Sequence, residues 1–461
     1  MDDIADPLVW AKRNFASVHL GDVRRTRRLV ESAATIARHP EKSFTQSFDW
    51  NALRGFYRVC DQKEATLDAV QGPHWQQTRQ SMRRSEPVLI LHDTTELDFT
   101  RHAALTDVGP IGEGTTRGFL QHNSLAVVAG TRELLGLTYQ QLRVRQPAPR
   151  GETSYQRRRR KRESEMWLDG IRASGPAPAD GCWVDVGDRG SDLYEAMAAA
   201  RAVGHHFLFR LSQNRGVFVS AAHDRSAYLL DHARGLPSQG GDVVDVPGRG
   251  GRPARRATVQ LSGGRVWVPA AAELPRRRTW PVLEAWVIRI WEPDPPPGAE
   301  PLEWLLLCSL ETTGLDQLRQ RRDWYCCRWM IETYHDIEKN GCREEDRRFE
   351  TAARMASCLA ILSLVAVRVF QLRCALQSHA DEPAERVGTA QEIELIRRLV
   401  KHTKKRFTVR EFVCGVARLG GFVARKGDGD PGVRTLWRGY QRLQDMVLGS
   451  ALGSPRKTRT A

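Results

Sequence analysis

Hydrophobic and polar positions follow two different periods along this chain of 461 residues. Near the start, apolar residues recur every three or four positions, which predicts amphipathic helices at 23–38, 50–60 and 66–83. The same spacing returns over 316–374 and 391–452. The pattern therefore predicts helical regions at both ends of the chain and a middle of different character.

That middle begins with an uninterrupted apolar run at residues 88–91, which is typical of a strand buried on both faces. The elements predicted after it are strand 124–130, strand 133–140, helix 163–172, strand 182–186, helix 192–203 and strand 206–211. Strands interspersed with helices in this order favour a mixed α/β sheet over a β-sandwich or a helical bundle.

Helical periodicity is lost from about residue 216 to residue 301, where alternating segments rich in Val, Gly, Pro and Arg predict an antiparallel β insert. An apolar strand at 303–309 follows the insert. We therefore predict five consecutive parts: a helical domain 1–80, a first core segment 81–215, the insert 216–301, a second core segment 302–376 and a helical domain 377–461.

The chain is basic, with 70 Lys and Arg against 55 Asp and Glu and a net charge of +15. This balance predicts a polyanionic partner, although charge alone does not distinguish DNA from RNA or from an anionic membrane. The longest apolar stretch, residues 355–367, is shorter than the roughly 20 residues that a membrane span needs. The nine cysteines form no CxxC pair, so we expect no zinc ribbon, no disulfide framework and a cytoplasmic location.

Two aspartates follow predicted strands: Asp93 comes after the first strand and Asp188 after the strand at 182–186. Active sites of open α/β sheets form outside strand ends, so both carboxylates are well placed for chemistry. Each could instead cap a turn or the start of a helix, which is the commoner role of an isolated aspartate. The two positions by themselves leave both interpretations open.

A third group of polar residues falls at regular helical spacing: Tyr325, Arg328, Glu332 and Lys339. On one continuous α-helix these four side chains would share a face within an arc of about 60°. The alternative is a solvated charged face with an Arg–Glu pair four residues apart, and the spacing does not decide between them. Three carboxylates could bind two Mg²⁺ or Mn²⁺ ions for phosphodiester chemistry, with Arg and Lys neutralising nearby phosphates.

The spacing Tyr-x2-Arg-x3-Glu-x6-Lys at 325–339 resembles the YREK signature of DDE transposases from bacterial insertion-sequence family four. The segments around the acidic residues support this resemblance: HDTT at 92–95, DR at 188–189 and RWMIE at 328–332. It extends over nearly the whole chain, through LGDVRRT at 20–26 and RLGGF at 418–422.

The resemblance implies an RNase H-like catalytic core interrupted by the β insert. It also implies an N-terminal domain that binds transposon-end DNA and a C-terminal helical domain that dimerises. In such a protein Asp93, Asp188 and Glu332 are the catalytic residues and the ligands of two Mg²⁺ or Mn²⁺ ions per active site. No nucleotide cofactor is expected.

The resemblance further implies contacts between the signature residues and DNA. Tyr325, Arg328 and Lys339 would contact the terminal phosphates and help to stabilise a hairpin intermediate. Trp304 lies where such proteins place a Trp that stacks on a flipped base. Without the resemblance, we would interpret Trp304 as part of the strand core.

Other basic side chains are candidate DNA contacts. In the helical N-terminal domain these are Arg24, Arg25, Lys42 and Arg58, and in the core they are Arg189 and Arg210. Weaker candidates are Arg215, Arg252, Arg255, Arg256 and the six consecutive basic residues at 157–162. Two residues depart from the expected pattern, because Asp336 and Glu338 lie between Glu332 and Lys339, where a DNA-facing helix should be basic.

The sequence therefore predicts a cut-and-paste DNA transposase that acts on double-stranded transposon ends and target DNA as a synaptic homodimer. It would be a metal-dependent endonuclease and strand transferase, in the bacterial cytoplasm and at the nucleoid when bound to DNA, with no membrane association. Two alternatives remain. One is an RNase H-like nuclease that does not join strands, and the other is a catalytically idle DNA-binding regulator derived from a transposase.

Overall fold

The computed structural model describes residues 4–453, except residues 113, 147–148, 150, 154–161, 247–253, 273, 275–276 and 426–427. Residues 157–161 of the predicted basic run, and Arg252, therefore lie outside the described residues.

The N-terminal region is helical, as the spacing predicts. Its helices are α1 (Pro7–Phe15), α2 (Val23–Arg38), α3 (Phe44–Ser47), α4 (Trp50–Cys60) and α5 (Leu67–Ser81). The side chains of Asp6, Asp22, Asp49 and Thr66 accept backbone N–H groups at the starts of α1, α2, α4 and α5. Each such cap stabilises a helix by about 1 kcal/mol. The predicted helices 23–38 and 50–60 are present with those bounds.

A mixed sheet forms the centre of the molecule. Its first six strands are β1 (Val88–Asp98), β2 (Gly109–Pro110), β3 (Arg117–Val128), β4 (Leu134–Arg143), β5 (Trp183–Gly187) and β6 (His206–Arg210). The other six are β7 (Gly216–Phe218), β8 (Ser226–Tyr228), β9 (Gly240–Val246), β10 (Arg255–Val268), β11 (Leu283–Trp291) and β12 (Glu303–Cys308). Strands β1, β5 and β6 run parallel to one another, and the remaining pairings are antiparallel.

The strand order is β2-β3-β1-β5-β6-β12-β11-β10-β7-β8, with β4 paired to β3 and β9 paired to β10. The predicted α/β fold class is therefore confirmed. The residues predicted as a β insert do not form a separate sheet, because β12 pairs with β6 and carries the central sheet on into β11 and β10. The insert also contains one short helix, α8 (Leu229–Gly235).

Helices cover both faces of the sheet around its central strands, so that β5, β6 and the first half of β1 are buried on each side. Helices α6 (Glu165–Ala173) and α7 (Tyr194–Ala202) pack with α8 on the face that carries Phe207 and Phe209. The N-terminal helices and α11 (Ala352–Ser378) pack on the face that carries Leu89 and Leu91. The C-terminal helices α12 (Ala390–Leu399), α13 (Val409–Leu419) and α14 (Val433–Gly453) have a smaller core of their own.

Helix α11 is long and apolar enough to cross a membrane by length and composition, but 94% of its most apolar window is buried inside the protein. It is therefore a core helix. Its apolar character continues past Arg368, which is fully buried. This guanidinium donates to the carbonyls of Ile4 (2.8 Å), Ala5 (3.0 Å) and Ala37 (3.3 Å) and to the hydroxyl of Tyr440 (3.0 Å). Arg368 thus joins the N-terminal helices to α14.

Candidate active site

Asp93 and Asp188 lie at the same level of two adjacent parallel strands. Asp188 follows the last residue of β5, as predicted, but Asp93 lies within β1 and not after it, because β1 continues to Asp98 through its pairing with β3. His92 of β1 is paired with Gly187 of β5, and each aspartate is the next residue along its chain. The carboxylate of Asp93 is 16% exposed. Burial, followed by the negative charge of Asp188, raises the pKa of Asp93 to about 7. The sheet therefore brings together the two acids that the sequence singled out.

Asp188 also has the capping role that the sequence left open. Its Oδ1 accepts the N–H of Gly190 at 2.8 Å and so caps the 3₁₀ turn Arg189–Ser191. The two interpretations are compatible here, because the same carboxyl group is close enough to Asp93 to raise the pKa of that residue. Arg189, in the capped turn, is exposed.

Glu332 is linked to Asp93 through an arginine. It lies on α10 (Trp329–Asp336), and Arg328, immediately before that helix, donates from Nη2 to the Glu332 carboxylate and from Nη1 to Asp93 at 3.4 Å. The charge of Glu332 contributes to the raised pKa of Asp93, while that of Arg328 opposes it. The three carboxylates therefore share one electrostatic environment with Arg328.

The spacing argument assumed that the four signature residues lie on one continuous helix, and the structure shows that they do not. Helix α9 (Leu315–Cys326) ends before Arg328, whose N–H bonds to the carbonyl of Tyr325 at 3.0 Å. After α10 the chain makes a π turn at Ile337–Gly341, closed by the bond of 2.8 Å from the Cys342 N–H to the Ile337 carbonyl. Turns of this kind often occur at functional sites.

Lys339 lies within the π turn. It is displaced from the other signature residues in the direction in which β1 runs. Its Nζ is 3.9 Å from Oε1 of Glu345, and the same oxygen accepts the N–H of Asp98 at the end of β1 at 2.9 Å. Asp93, by contrast, is five residues earlier on that strand. Lys339 therefore flanks the acids along the direction of β1.

Tyr325, Trp304 and Arg210 form the opposite side of the site. The rings of Trp304 and Tyr325 have centroids 6.1 Å apart. Burial raises the pKa of Tyr325, while Arg328 and Arg210 act to lower it, which places both arginines close to the phenol. Trp304 is half-buried on β12. It is neither fully in the core nor fully exposed, so one part of the ring remains accessible.

A basic groove lies between α2 and α4, with a volume of about 550 Å³. Its lining residues are Arg24, Arg25, Arg28, Asn51, Arg54, Gly55, Arg58, Val59 and Gln62. Three of the four N-terminal candidates therefore converge. Lys42 does not line it, and its Nζ instead forms an ion pair of 3.0 Å with Asp445 of α14.

The two acidic residues that departed from the expected pattern both have partners inside the protein. Asp336 accepts from Arg434 of α14 at 2.8 Å and from Asn340 at 2.7 Å. Glu338 is completely buried. Each is therefore engaged by protein groups, Asp336 at the contact with the C-terminal helices and Glu338 in the core.

Sequence reasoning missed a buried network behind the site. Asp185 of β5 accepts from His92 Nε2 and from His205 Nδ1, each at 2.9 Å, and His92 Nδ1 bonds to the hydroxyl of Ser124 at 2.9 Å. Burial would raise the pKa of Asp185, but the two histidines lower it to about 2. The network fixes β1 against β5. A lone Asp inside the apolar run at 183–186 was its signal in the sequence.

The donor atoms of the site suit a hard divalent cation. Asp93, Asp188 and Glu332 offer only oxygen, which Mg²⁺ and Mn²⁺ prefer, and a cation would offset the repulsion that raises the pKa of Asp93. Within the described part of the chain, no three His, Cys, Asp or Glu side chains are arranged to hold a metal ion as they stand. Arg328 is the positive charge between Asp93 and Glu332 in this conformation.

Two comparisons with known protein families bear on the ends of the chain. Residues 8–65 match the family described as Transposase DNA-binding. Residues 366–456 match the Transposase Tn5 dimerisation domain. The sheet with helical regions on either side is consistent with that architecture.

These matches support a bacterial transposase, which binds DNA through its N-terminal helices and forms a homodimer through its C-terminal helices. The two matches lie mainly in the helical ends for which the sequence predicts DNA binding and dimerisation. The matched residues 8–65 include the whole lining of the basic groove.

Proposed function

We propose that this protein is a cut-and-paste DNA transposase of insertion-sequence family four with the YREK signature. Its active site would be formed by Asp93, Asp188 and Glu332. The main support is the placement of Asp93 and Asp188 at the same level of the neighbouring strands β1 and β5, with Glu332 linked to Asp93 through Arg328. The matches of both ends of the chain to transposase domains support DNA as the substrate of this acidic site.

The same three carboxylates would hold two Mg²⁺ or Mn²⁺ ions. When bound, such ions lower the pKa of an attacking water or hydroxyl and stabilise the charge on the leaving oxygen. The burial of Asp93 beside Asp188 supports this role, because the site concentrates negative charge where a cation is favoured.

The basic and aromatic side chains around the acids would position the DNA. Arg328 contacts Asp93 and would neutralise a phosphate next to the cleaved bond. Lys339, close to Asp98 at the end of β1, would contact a terminal phosphate further along the DNA. Tyr325 would donate its hydroxyl to a terminal phosphate. Trp304, half-buried beside Tyr325, would stack on a flipped base. Arg189 and Arg210 lie at the edge of the same site.

The reaction would begin with hydrolysis that frees the 3′-hydroxyl of the transposon. That hydroxyl attacks the opposite strand to form a hairpin, water opens the hairpin, and the 3′-hydroxyls then join to target DNA. No covalent enzyme intermediate and no nucleotide cofactor are needed. A homodimer holding two ends would carry out these steps, in the bacterial cytoplasm and at the nucleoid.

The test uses purified protein and a labelled duplex that carries the inverted ends of its own genomic element. We expect a hairpin on a denaturing gel in Mg²⁺ but not in EDTA. Glu332→Gln should abolish the hairpin and leave end binding unchanged, because it alters a metal ligand outside the DNA-binding domain. Asp316→Ala, at a carboxylate on α9 that is 97% exposed, is the matched control and should cleave normally.

Two other outcomes would identify the alternatives. Metal-dependent cleavage without joining to target DNA would indicate an RNase H-like nuclease. Tight, salt-sensitive end binding with no cleavage in Mg²⁺ or Mn²⁺ would indicate a catalytically idle regulator. Cleavage by Glu332→Gln at the wild-type rate would show that Glu332 is not an active-site residue.

A further inference from the structure

Glu338 is a fully buried carboxylate directly before Lys339 in the π turn. Side chains from two strands of the sheet donate to it: Gln121 at 2.7 Å and Asn123 at 3.4 Å from β3, and Gln140 at 3.3 Å from β4. All three amides are themselves completely buried. A buried carboxylate is costly unless it is hydrogen-bonded, and here the sheet supplies the donors.

These amides belong to the part of the sheet that carries Asp93. Asn123 is the direct cross-strand partner of Asp93 on one side and of Gln140 on the other. Gln140 also donates to Asn123 Oδ1 at 2.7 Å. Cross-strand partners project from the same face of a sheet, so Asp93, Asn123 and Gln140 form one row on the face towards Glu338.

The peptide that contains Glu338 is continuous with the helix that carries Glu332. Helix α10 runs directly into the π turn without an intervening loop. A shift of Glu338 relative to the sheet would therefore move Glu332, six residues earlier, and Lys339, one residue later. The hydrogen bonds to β3 and β4 connect this element to the row of Asp93.

We infer that Glu338 is a positioning residue: its bonds to Gln121, Asn123 and Gln140 set the placement of Glu332 and Lys339 relative to Asp93. This inference rests on the proposed transposase activity. Glu338 does not touch the DNA or the reacting atoms, and it acts through the helix and the turn. An apolar side chain could fill the same space but would not be held by the amide row.

A second buried carboxyl group provides a matched control. Glu344 is also completely buried, six residues further along the chain, and Ser363 donates to it at 3.4 Å. The described contacts of Glu344 do not include Gln121, Asn123 or Gln140. Glu344→Gln therefore changes a neighbouring buried acid without removing the connection to the Asp93 row.

The experiment compares Glu338→Gln, Glu338→Leu and Glu344→Gln in the full-length protein. Three quantities are measured: end binding, the single-turnover rate of hairpin formation in Mg²⁺, and hydrogen exchange over residues 329–341. We expect Glu338→Leu to lower the cleavage rate about 10- to 100-fold, as loss of such supporting contacts does at metal sites, with end binding within twofold of wild type. In Glu338→Gln, which keeps one acceptor oxygen, the cleavage rate should fall less than in Glu338→Leu.

Hydrogen exchange provides a readout that does not depend on cleavage. In Glu338→Leu the amides of 329–341 should exchange faster, while those of α4 should be unchanged. Glu344→Gln should lower the cleavage rate less than Glu338→Leu does, because it leaves the bonds of Glu338 to the three amides in place. If Glu338→Leu does not fold, Gln121→Ala removes the donor of the shortest of the three hydrogen bonds, on β3. We expect the same slower cleavage and faster exchange over 329–341 in this variant.

The outcomes separate this inference from the proposed function. If wild type cleaves and both Glu338→Leu and Gln121→Ala cleave at the same rate, Glu338 has no positioning role. If wild type does not cleave in either metal, the proposed function fails, and unchanged exchange over 329–341 in Glu338→Leu would then overturn the positioning role as well. Equal loss of cleavage in Glu344→Gln and Glu338→Leu would also overturn it, since the effect would not be specific to the amide row.

Discussion

The guanidinium of Arg328 lies 3.4 Å from the carboxylate of Asp93, a residue 235 positions earlier in the chain. The same side chain also binds Glu332. One arginine thus connects the strand that carries the first acid to the helix that carries the last. Because it is only 13% exposed, its charge acts on both carboxylates with little screening by solvent.

Replacing Arg328 by Ala should therefore slow cleavage strongly. The substitution removes the positive charge that opposes the raised pKa of Asp93, so this pKa should rise further, above about 7. We expect the single-turnover rate to fall about 100-fold, which is the usual cost of removing one charged group that stabilises a transition state. End binding should be retained. Arg319→Ala, on the more exposed part of α9, is the control, and an unchanged rate in Arg328→Ala would exclude this role.

Substitutions in the basic groove should weaken end binding without changing the chemical step. Arg54→Ala and Arg58→Ala each remove a positive charge from the lining of the groove between α2 and α4. We expect each to reduce the slope of log affinity against log salt by about 1, because one phosphate contact is lost. Filter binding at several salt concentrations measures this slope. Lys63→Ala, a 92% exposed residue outside the lining of the groove, should have no comparable effect.

Loss of the Arg368 side chain should destabilise the whole molecule. Its guanidinium is fully buried and serves three carbonyls and one hydroxyl, which Arg368→Ala would leave without this donor. We expect a decrease of about 3 kcal/mol in the free energy of unfolding in urea. Arg398→Ala, which removes an exposed ion pair on α12, should change it by less than about 0.5 kcal/mol. Equal effects in the two variants would contradict this role for Arg368.

Glu344→Gln should stabilise the protein at high pH and not at low pH. Burial, followed by the charge of Glu338, raises the pKa of Glu344 well above 4.5, while Arg347 opposes the rise. A carboxyl group whose pKa is raised by folding favours the folded state fully below its unfolded pKa, and this contribution is lost as the pH rises. Burial likewise raises the pKa of Glu338 to about 7, while neighbouring polar side chains, among them the amide of Gln121, and the charge of Lys339 act to lower it.

The prediction is checked by thermal unfolding at pH 5 and pH 8. We expect the Tm of Glu344→Gln to exceed that of wild type by about 2 °C or more at pH 8, with a smaller difference at pH 5. Glu350→Gln, at a 76% exposed glutamate nearby, should match wild type at both values. A difference for Glu344→Gln that does not depend on pH would show that the charge of this group is not what destabilises the fold.

Local sequence patterns predicted most of the elements. Helices α2 and α4 follow from periodicity and from capping aspartates, since both effects depend on residues a few positions apart. Strand β5 and the first part of β1, which precede Asp188 and Asp93, follow from short apolar runs. The resemblance to the YREK signature then singled out Glu332 and Arg328, which contact each other.

The same reasoning was wrong where it assumed uniform geometry. A rotation of 100° per residue from Tyr325 to Lys339 fails at the break around Arg328 and again at the π turn. At the π turn the interruption allows Glu338 to bond to the distant strands β3 and β4. The periodicity of the segment itself does not predict such a break.

What the sequence by itself determined is most of the order of elements and the α/β class, because these depend on short-range spacing and on composition. The three acids were singled out by the resemblance, and their catalytic role stays a prediction. Only the tertiary structure decided that Asp336 pairs with Arg434 and that Glu338 turns inward to Gln121. In the sequence both residues stand out only as acids where a DNA-facing helix should be basic. Their partners are about 100 and 200 residues away, and the burial that gives such a charge its cost and its role exists only once those distant segments are packed together.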